Sequence, residues 1–245
     1  MRVQLRAGRA PIAVALDAPD VTTATRWAAA TAPYVSALKI GLESYLRDGG
    51  DGVAQVLAAV REGTPGDVVA PALFLDLKLH DIPNTVAGAA RSIAPLAPDI
   101  LTVHALGGPA MIAAAAAELP DTRIAAVTIL TSMDEDALSA VGVVGPARAA
   151  VVRLAVMAVA AGARALVCSP LEVADVRAVV PDDVLLITPG VRPVGADVAD
   201  QRRVATPAAA LAAGADLLVI GRPITAASDV GIAAQTLNAA LGGNR

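Results

Sequence analysis

The feature that most limits the fold of this 245-residue chain is an alternation repeated eight times, a short run rich in Val, Ile and Leu followed by a longer alanine-rich stretch of helical period. Short apolar runs bounded by turn residues read as strands buried on both faces, and the stretches between them as the helices that cover those faces. Strands are expected at 12–17, 35–41, 72–78, 100–104, 124–131, 165–169, 184–188 and 217–221. Helices are expected near 21–32, 52–62, 84–97, 109–119, 146–161, 171–179, 207–213 and 224–241. No linker or shift of composition divides the series. Eight uninterrupted units favour an α/β chain folded as a single-domain (β/α)8 barrel over 1–245, rather than a doubly wound sheet. A dinucleotide-binding sheet would place Gly-x-Gly-x-x-Gly after its first strand, and Asp17-Ala18-Pro19-Asp20 stands there instead.

The polar residues agree with the barrel. The apolar runs end in Asp17, Lys39, Asp76 and Lys78, His104, Thr131 and Ser132, Ser169, Thr188, and Gly221-Arg222. In such barrels the chemistry gathers at the C-terminal ends of the strands, so these residues from distant parts of the chain are expected around one mouth.

Composition narrows the function classes. The chain is 56% hydrophobic, much of it alanine, a helix-forming residue that packs closely, so its mean hydropathy of +0.61 does not require a membrane. The longest run without formal charge, 100–117, contains His104 and the breaker Gly107-Gly108-Pro109 and reads as strand, turn and helix. Residues 1–11 carry Arg2, Arg6 and Arg9, but no apolar core of a secretory leader follows before Asp17, and a cytoplasmic location is expected. One cysteine and two histidines make neither a disulfide framework nor a usual structural zinc site, so no metal is expected. A net charge of −4 with 2% aromatic residues lacks the basic field and the stacking rings of a nucleic-acid binder. An anionic ligand would have to be met by a few local cations.

Those cations are present. Asp76 and Lys78, two apart on the third strand, share the face that points into the barrel mouth, and Asp81 follows past the strand end. With Lys39 from the second strand they bring two ammonium and two carboxylate groups into one apolar region, where charges persist only when paired and hydrogen-bonded. A purely structural ion-pair network is the competing interpretation. Against it stands a phosphate anchor across the same mouth: Gly221 lets an anion approach the backbone, and Arg222 offers a planar fork of donors at the barrel position where phosphates often sit. The glycine- and proline-rich stretch 188–203, holding Arg192 and Gln201, has the length and composition of a lid that closes over a ligand.

Several blocks, in order along nearly the whole chain, resemble the orotidine 5'-monophosphate decarboxylase family, in its common bacterial group. They are Ala15-Leu16-Asp17, Leu38-Lys39-Ile40-Gly41, Asp76-Leu77-Lys78-Leu79-His80-Asp81-Ile82-Pro83-Asn84-Thr85, Thr102-Val103-His104-Ala105, Leu130-Thr131-Ser132-Met133, Val167-Cys168-Ser169-Pro170, the 189–203 loop with Thr206-Pro207, and Ile220-Gly221-Arg222. The stretch 76–85 is the most specific. The continuation Leu42-Glu43-Ser44-Tyr45-Leu46-Arg47 is less aromatic than the family pattern, and Arg202-Arg203 stands where lysine is frequent.

The resemblance implies a cofactor-free TIM-barrel carboxy-lyase that turns orotidine 5'-monophosphate into uridine 5'-monophosphate, the last step of de novo pyrimidine nucleotide synthesis. It further implies that Lys39, Asp76, Lys78 and Asp81 form an alternating charged tetrad, with Lys78 the proton donor to C6. Asp17 and Lys39 correspond to ribose contacts, and Thr131 and Ser132 to groups beside the pyrimidine. Gln201 corresponds to the lid residue bridging base and phosphate, and Arg192, Gly221 and Arg222 to phosphate contacts. Asp81 and Thr85 are implied to reach the site of a second subunit, which makes the expected partner another copy of the chain in a homodimer with shared sites.

Three rivals remain. A magnesium-dependent phosphosugar decarboxylase or synthase barrel shares the Asp-x-Lys-x-x-Asp core, with Glu43 as a conceivable ligand, but lacks the 80–85 continuation and the Asp200-Gln201 lid. A Schiff-base aldolase would need Lys78 as a neutral nucleophile, against two flanking carboxylates. A nucleotide-binding barrel without catalysis would have no use for the intact charged set. His80 and His104 read as packing or supporting hydrogen-bond residues, and Cys168 as a small core side chain.

Overall fold

The computed structural model describes residues 8–63, 69–192 and 205–242. Its eight strands close in sequence order into one parallel barrel, β8 returning to β1. They are β1 (Ala10–Ala15), β2 (Val35–Gly41), β3 (Ala72–Leu79), β4 (Ile100–His104), β5 (Arg123–Val127), β6 (Ala165–Val167), β7 (Leu185–Thr188) and β8 (Leu217–Ile220). The helices outside them are α1 (Val21–Thr31), α2 (Leu42–Glu62), α3 (Pro83–Ile93), α4 (Gly108–Glu118), α5 (Glu135–Ala140), α6 (Ala147–Ala160), α7 (Val173–Arg177), α8 (Pro207–Ala212), α9 (Arg222–Thr225) and α10 (Val230–Ala240). None of the described helices is long and apolar enough to cross a membrane.

Strand alternation sorts the apolar residues into two cores. Leu73, Leu75 and Leu77 of β3 face outward into the large cluster shared with the helices, while Ala72 and Phe74 face the barrel axis. The axial cluster mixes sizes: Ala13, Ala37, Ala72, Ala125 and Ala165 share it with Ile100, Leu185, Ile187, Leu217 and Phe74, the only phenylalanine of the chain. Mixing large and small side chains fills the taper of an eight-stranded barrel. Emptying that position by Phe→Ala would cost about 3–5 kcal/mol. Continuing the same period, Lys39 follows Ala37, and Asp76 and Lys78 follow Phe74, so the charged side chains cap the axial core at its C-terminal end.

The helix ends follow from local chemistry. Asp20 caps α1 by accepting from the Thr23 amide at 2.7 Å, and Pro83 occupies the first turn of α3, where a missing N–H costs nothing. Four expectations need correction. The segment 52–62 is the second part of a longer helix that starts at Leu42 and breaks at Gly49, whose φ of 62° suits glycine. The stretch 128–131 leaves the fifth strand, because β6 ends at Val167, whose carbonyl already accepts from both the amide and the hydroxyl of Thr128. An additional helix, α5, follows it, started by the Asp134 carboxylate accepting from the Ala137 amide at 3.0 Å. Finally, 224–241 falls across two helices, α9 and α10, the second started by the exposed Asp229, whose carboxylate accepts from Ile232 N.

Candidate active site

Four of the predicted residues meet at the mouth between β1, β2 and β3. Lys39 Nζ lies 3.4 Å from Asp17 Oδ1 and 3.4 Å from Asp76 Oδ2, and Lys78 Nζ lies 2.8 Å from Asp76 Oδ1. The Lys39 side chain is only 8% exposed, so its charge is tolerated by the two carboxylates that flank it. The Thr102 hydroxyl adds a third bond to Asp76, donating to Oδ1 at 3.0 Å. Burial pushes the Asp76 carboxyl up, but the ammonium groups of Lys39 and Lys78, with the hydrogen bonds from Lys78 and Thr102, outweigh it and hold the group below its ordinary value. Asp76 therefore stays ionised in a half-closed, low-dielectric site.

Two glycine and backbone features make room for this set. A Cβ on Gly41 would stand 2.8 Å from Asp17 Oδ1 and 2.9 Å from Lys39 Nζ, so a side chain there would push apart the pair the site needs. Lys78 has φ of 51°, a left-handed conformation uncommon for a residue with a Cβ and typical of strained functional positions.

Across the mouth the other half is built on β7 and β8. A cleft of ≈310 Å³ is lined by Asp17, Lys39 and Asp76 on one side and by Gly190, Arg192, Gly221, Arg222 and Thr225 on the other. The root of the loop after β7 is closed by backbone bonds: Arg192 N donates to Ala205 O at 3.0 Å and Ala205 N to Gly190 O at 3.3 Å. Gln201 lies outside the described residues.

A second cavity, ≈180 Å³ and mostly apolar, adjoins the cleft through Asp76, Pro189 and Val219. Phe74, Val127, Ile129, Leu130, Val167 and Cys168 wall it, Thr131 lies on its lining, and Lys78 stands at its edge. Burial pushes the Cys168 thiol up to about 12, with the nearby Glu172 carboxylate adding to it, so the sulfur is an uncharged wall atom. Sequence reading placed Cys168 in the core; that its strand end also borders a ligand-sized cavity was not visible, nor was the role of Pro189, Ile129 and Leu130 as its walls.

The remaining predicted residues stand apart. Asp81 and Thr85 are exposed, and Asp81 Oδ1 accepts from the Ile82 amide at 2.6 Å rather than joining the buried network. Ser132 is exposed and lines neither cavity. His80 and His104 pair with ring centroids 5.4 Å apart, and His104 is driven toward its neutral form by burial first, then by His80 and Lys78. Glu43 is exposed in the first turn of α2, and the described residues contain no group of three or more His, Cys, Asp or Glu suited to a metal ion.

Comparison with known proteins gives the family. The chain is 68% identical over 232 residues to the orotidine 5'-phosphate decarboxylase of Thermobifida fusca, covering 95% of this chain and 96% of that one. It is 59% identical over 242 residues to that of Frankia casuarinae, covering 96% and 88%. The crystal structure of orotidine 5'-phosphate decarboxylase from Lactobacillus acidophilus superposes with a TM-score of 0.79 at 33% identity, over 95% of this chain and 99% of that one. The enzyme of that name from Pyrococcus horikoshii, at 23% identity and a TM-score of 0.75, shares the fold. The family model described as orotidine 5'-phosphate decarboxylase / HUMPS family matches residues 10–237, and the chain belongs to that family.

Proposed function

We propose that this protein decarboxylates orotidine 5'-monophosphate to uridine 5'-monophosphate without a cofactor. The observation that carries the proposal is the position of Lys78, which lines the apolar cavity and is paired at 2.8 Å with Asp76, a residue that borders both that cavity and the polar cleft. A nucleotide has the matching division. Its phosphate and ribose suit the cleft with Arg222, Arg192, Gly221, Asp17 and Lys39. Its planar base suits the apolar cavity, with Thr131 on the lining and Ser132 on the segment just beyond.

In this reading the bond from C6 to the carboxylate breaks heterolytically, CO2 departs, and the electron pair stays on C6. No ring carbonyl is placed to delocalise it, so fixed charge must stabilise it. The Lys78 ammonium does so and then transfers its proton to C6, giving uridine 5'-monophosphate. Asp76 holds that ammonium in place. Beside the substrate carboxylate it also contributes repulsion, ~4 kcal/mol for like charges at ~4 Å and an effective dielectric of about 20. Phosphate binding by Arg222 supplies the remote binding energy that brings these charges together.

Asp81 and Thr85 enter this proposal as residues that one subunit lends to another. Their exposure, next to but outside the network of Asp76 and Lys78, suits contact with a second copy of the chain better than service to their own site. The enzyme is accordingly a homodimer with shared sites, working in the cytoplasm.

The test is loss of the substrate's ultraviolet absorbance on adding the purified protein to orotidine 5'-monophosphate in EDTA. Turnover that persists in chelator is expected. Turnover that requires magnesium, or that occurs only with a sugar phosphate, would replace the proposal with a metal-dependent reaction.

A further inference from the structure

Between β3 and β4 the parallel ladder is irregular. Leu75 pairs with Leu101 and Leu79 with Val103, so three residues of β3, Asp76, Leu77 and Lys78, stand against the single Thr102 of β4. Such a bulge interrupts the ladder and re-aims the side chains it carries. Here it carries the two charges of the candidate reaction centre, and Lys78 takes its left-handed backbone within it.

Thr102 is fully buried, and its hydroxyl is spent on both ends of the bulge. It accepts from the Lys78 amide at 2.8 Å and donates to Asp76 Oδ1 at 3.0 Å, the same oxygen that holds Lys78 Nζ at 2.8 Å. A hydroxyl has one proton to donate, so the assignment is reciprocal: backbone of one residue, carboxylate of the other. The β-branch restricts the side chain's rotation, which keeps both bonds in one geometry.

We propose that Thr102 is a positioning residue for the decarboxylation, a side-chain clamp that fixes the strained Lys78 backbone and the Asp76 carboxylate relative to each other. This rests on the decarboxylase reading above. Thr102 lines neither cavity and touches no substrate; it acts through Lys78 and Asp76. Misplacing a reacting group by an ångström costs on the order of 100-fold in rate, whereas ground-state binding of the nucleotide depends on the distant phosphate side.

The experiment compares Thr102→Val, which keeps the shape and removes the hydroxyl, with Thr102→Ser, which keeps the hydroxyl. The valine variant is expected to lose roughly 10- to 100-fold in kcat while its affinity for uridine 5'-monophosphate stays within about threefold. The serine variant is expected to recover most of the loss. A crystal structure of the valine variant is expected to show Lys78 out of the left-handed region or its ammonium displaced from Asp76. Should valine not yield folded protein, Thr102→Ala carries the same comparison. A variant without the hydroxyl that keeps wild-type kcat, or that keeps the Lys78 backbone and the Lys78–Asp76 contact, overturns the proposal. So does a loss shared equally by kcat and product affinity and left unrestored by serine. Wild-type turnover in the same assay tests the decarboxylase reading separately, and the valine-variant structure reads the clamp whether or not that reading holds.

Discussion

The two sides of the barrel mouth are held by different means. On the β1–β4 side the charged groups fix one another: Lys39 between Asp17 and Asp76, Lys78 on Asp76, and Thr102 on both Asp76 and the Lys78 backbone. On the β7–β8 side the backbone is arranged instead, with Gly190 at φ of 77°, the loop root pinned between residues 190–192 and 205, and an exposed Arg222 at the start of α9. A network of mutually restrained charges is costly to build and stiff once built, which suits a reacting centre. Glycine backbone and a long arginine can close around a phosphate with little steric conflict, which suits binding. The contrast predicts that damage on the first side appears in kcat and damage on the second in KM.

The largest effect is expected from Lys78→Ala. Under the proposed mechanism it removes both the charge that stabilises the developing carbanion and the proton that quenches it. Each such contribution is worth about 100-fold or more, so kcat should fall by at least about 10⁴-fold. Affinity for uridine 5'-monophosphate, measured by calorimetry, should change little. A variant that still turns over at a tenth of the wild-type rate would remove Lys78 from the chemistry. Mixing this variant with Asp81→Ala sharpens the point: if Asp81 serves the partner's site, exchanged subunits carry one intact site, and activity should reappear. Two dead variants that stay dead on subunit exchange would return Asp81 to its own subunit.

Arg222→Ala should produce a smaller loss of the other kind. A charge-assisted hydrogen bond is worth about 1.5–3 kcal/mol, so the substrate KM should rise by roughly 10- to 100-fold. Because remote binding energy can also be spent on the reacting end of a substrate, kcat should fall too, but by a smaller factor. A fall in kcat larger than the rise in KM, read from steady-state curves, would mean that the phosphate side takes part in the reaction step itself.

How much of this was legible before the fold was known follows the same division. Period-two alternation is enough to send Lys39, Asp76 and Lys78 to the barrel mouth, because their apolar neighbours at 37, 72 and 74 declare the inward face. Alternation cannot reveal that β3 carries extra residues opposite Thr102, since a bulge is a property of two paired strands and not of either sequence. A lone threonine in Ile-Leu-Thr-Val-His therefore reads as core until its register is known. The helix α5 was missed because 128–146 has no clear apolar period; its sign was Asp134 followed by Glu135 and Asp136, the acidic start of a capped helix. The spacing that sent Asp81 to the same charged set does not hold within one subunit, since the residue is exposed past the end of β3 with its carboxylate on the Ile82 amide; a role for Asp81 and Thr85 at a second subunit's site rests on resemblance alone, because no local chemistry distinguishes such a residue from one that faces water.

The smallest expected effect is a pH dependence, and it tests whether the charged side is assembled as firmly as the distances suggest. The Asp76 carboxyl lies below its ordinary value in the folded protein, burial being outweighed by the charges of Lys39 and Lys78 and by the hydrogen bonds from Lys78 and Thr102. A group depressed in the folded state contributes stability that is present above its unfolded value, about 3.9, and is lost as pH falls through the folded one. Wild-type stability in urea, compared with Asp76→Asn at each pH, should therefore show a constant advantage through neutral and mildly acidic solution, shrinking only below about pH 4. Catalysis should follow the same limit, with no acid limb from Asp76 above about pH 5. An advantage that shrinks already between about pH 5 and 7 would mean that burial prevails over the two ammonium groups, and that the clamp around Asp76 is looser than its three partners imply.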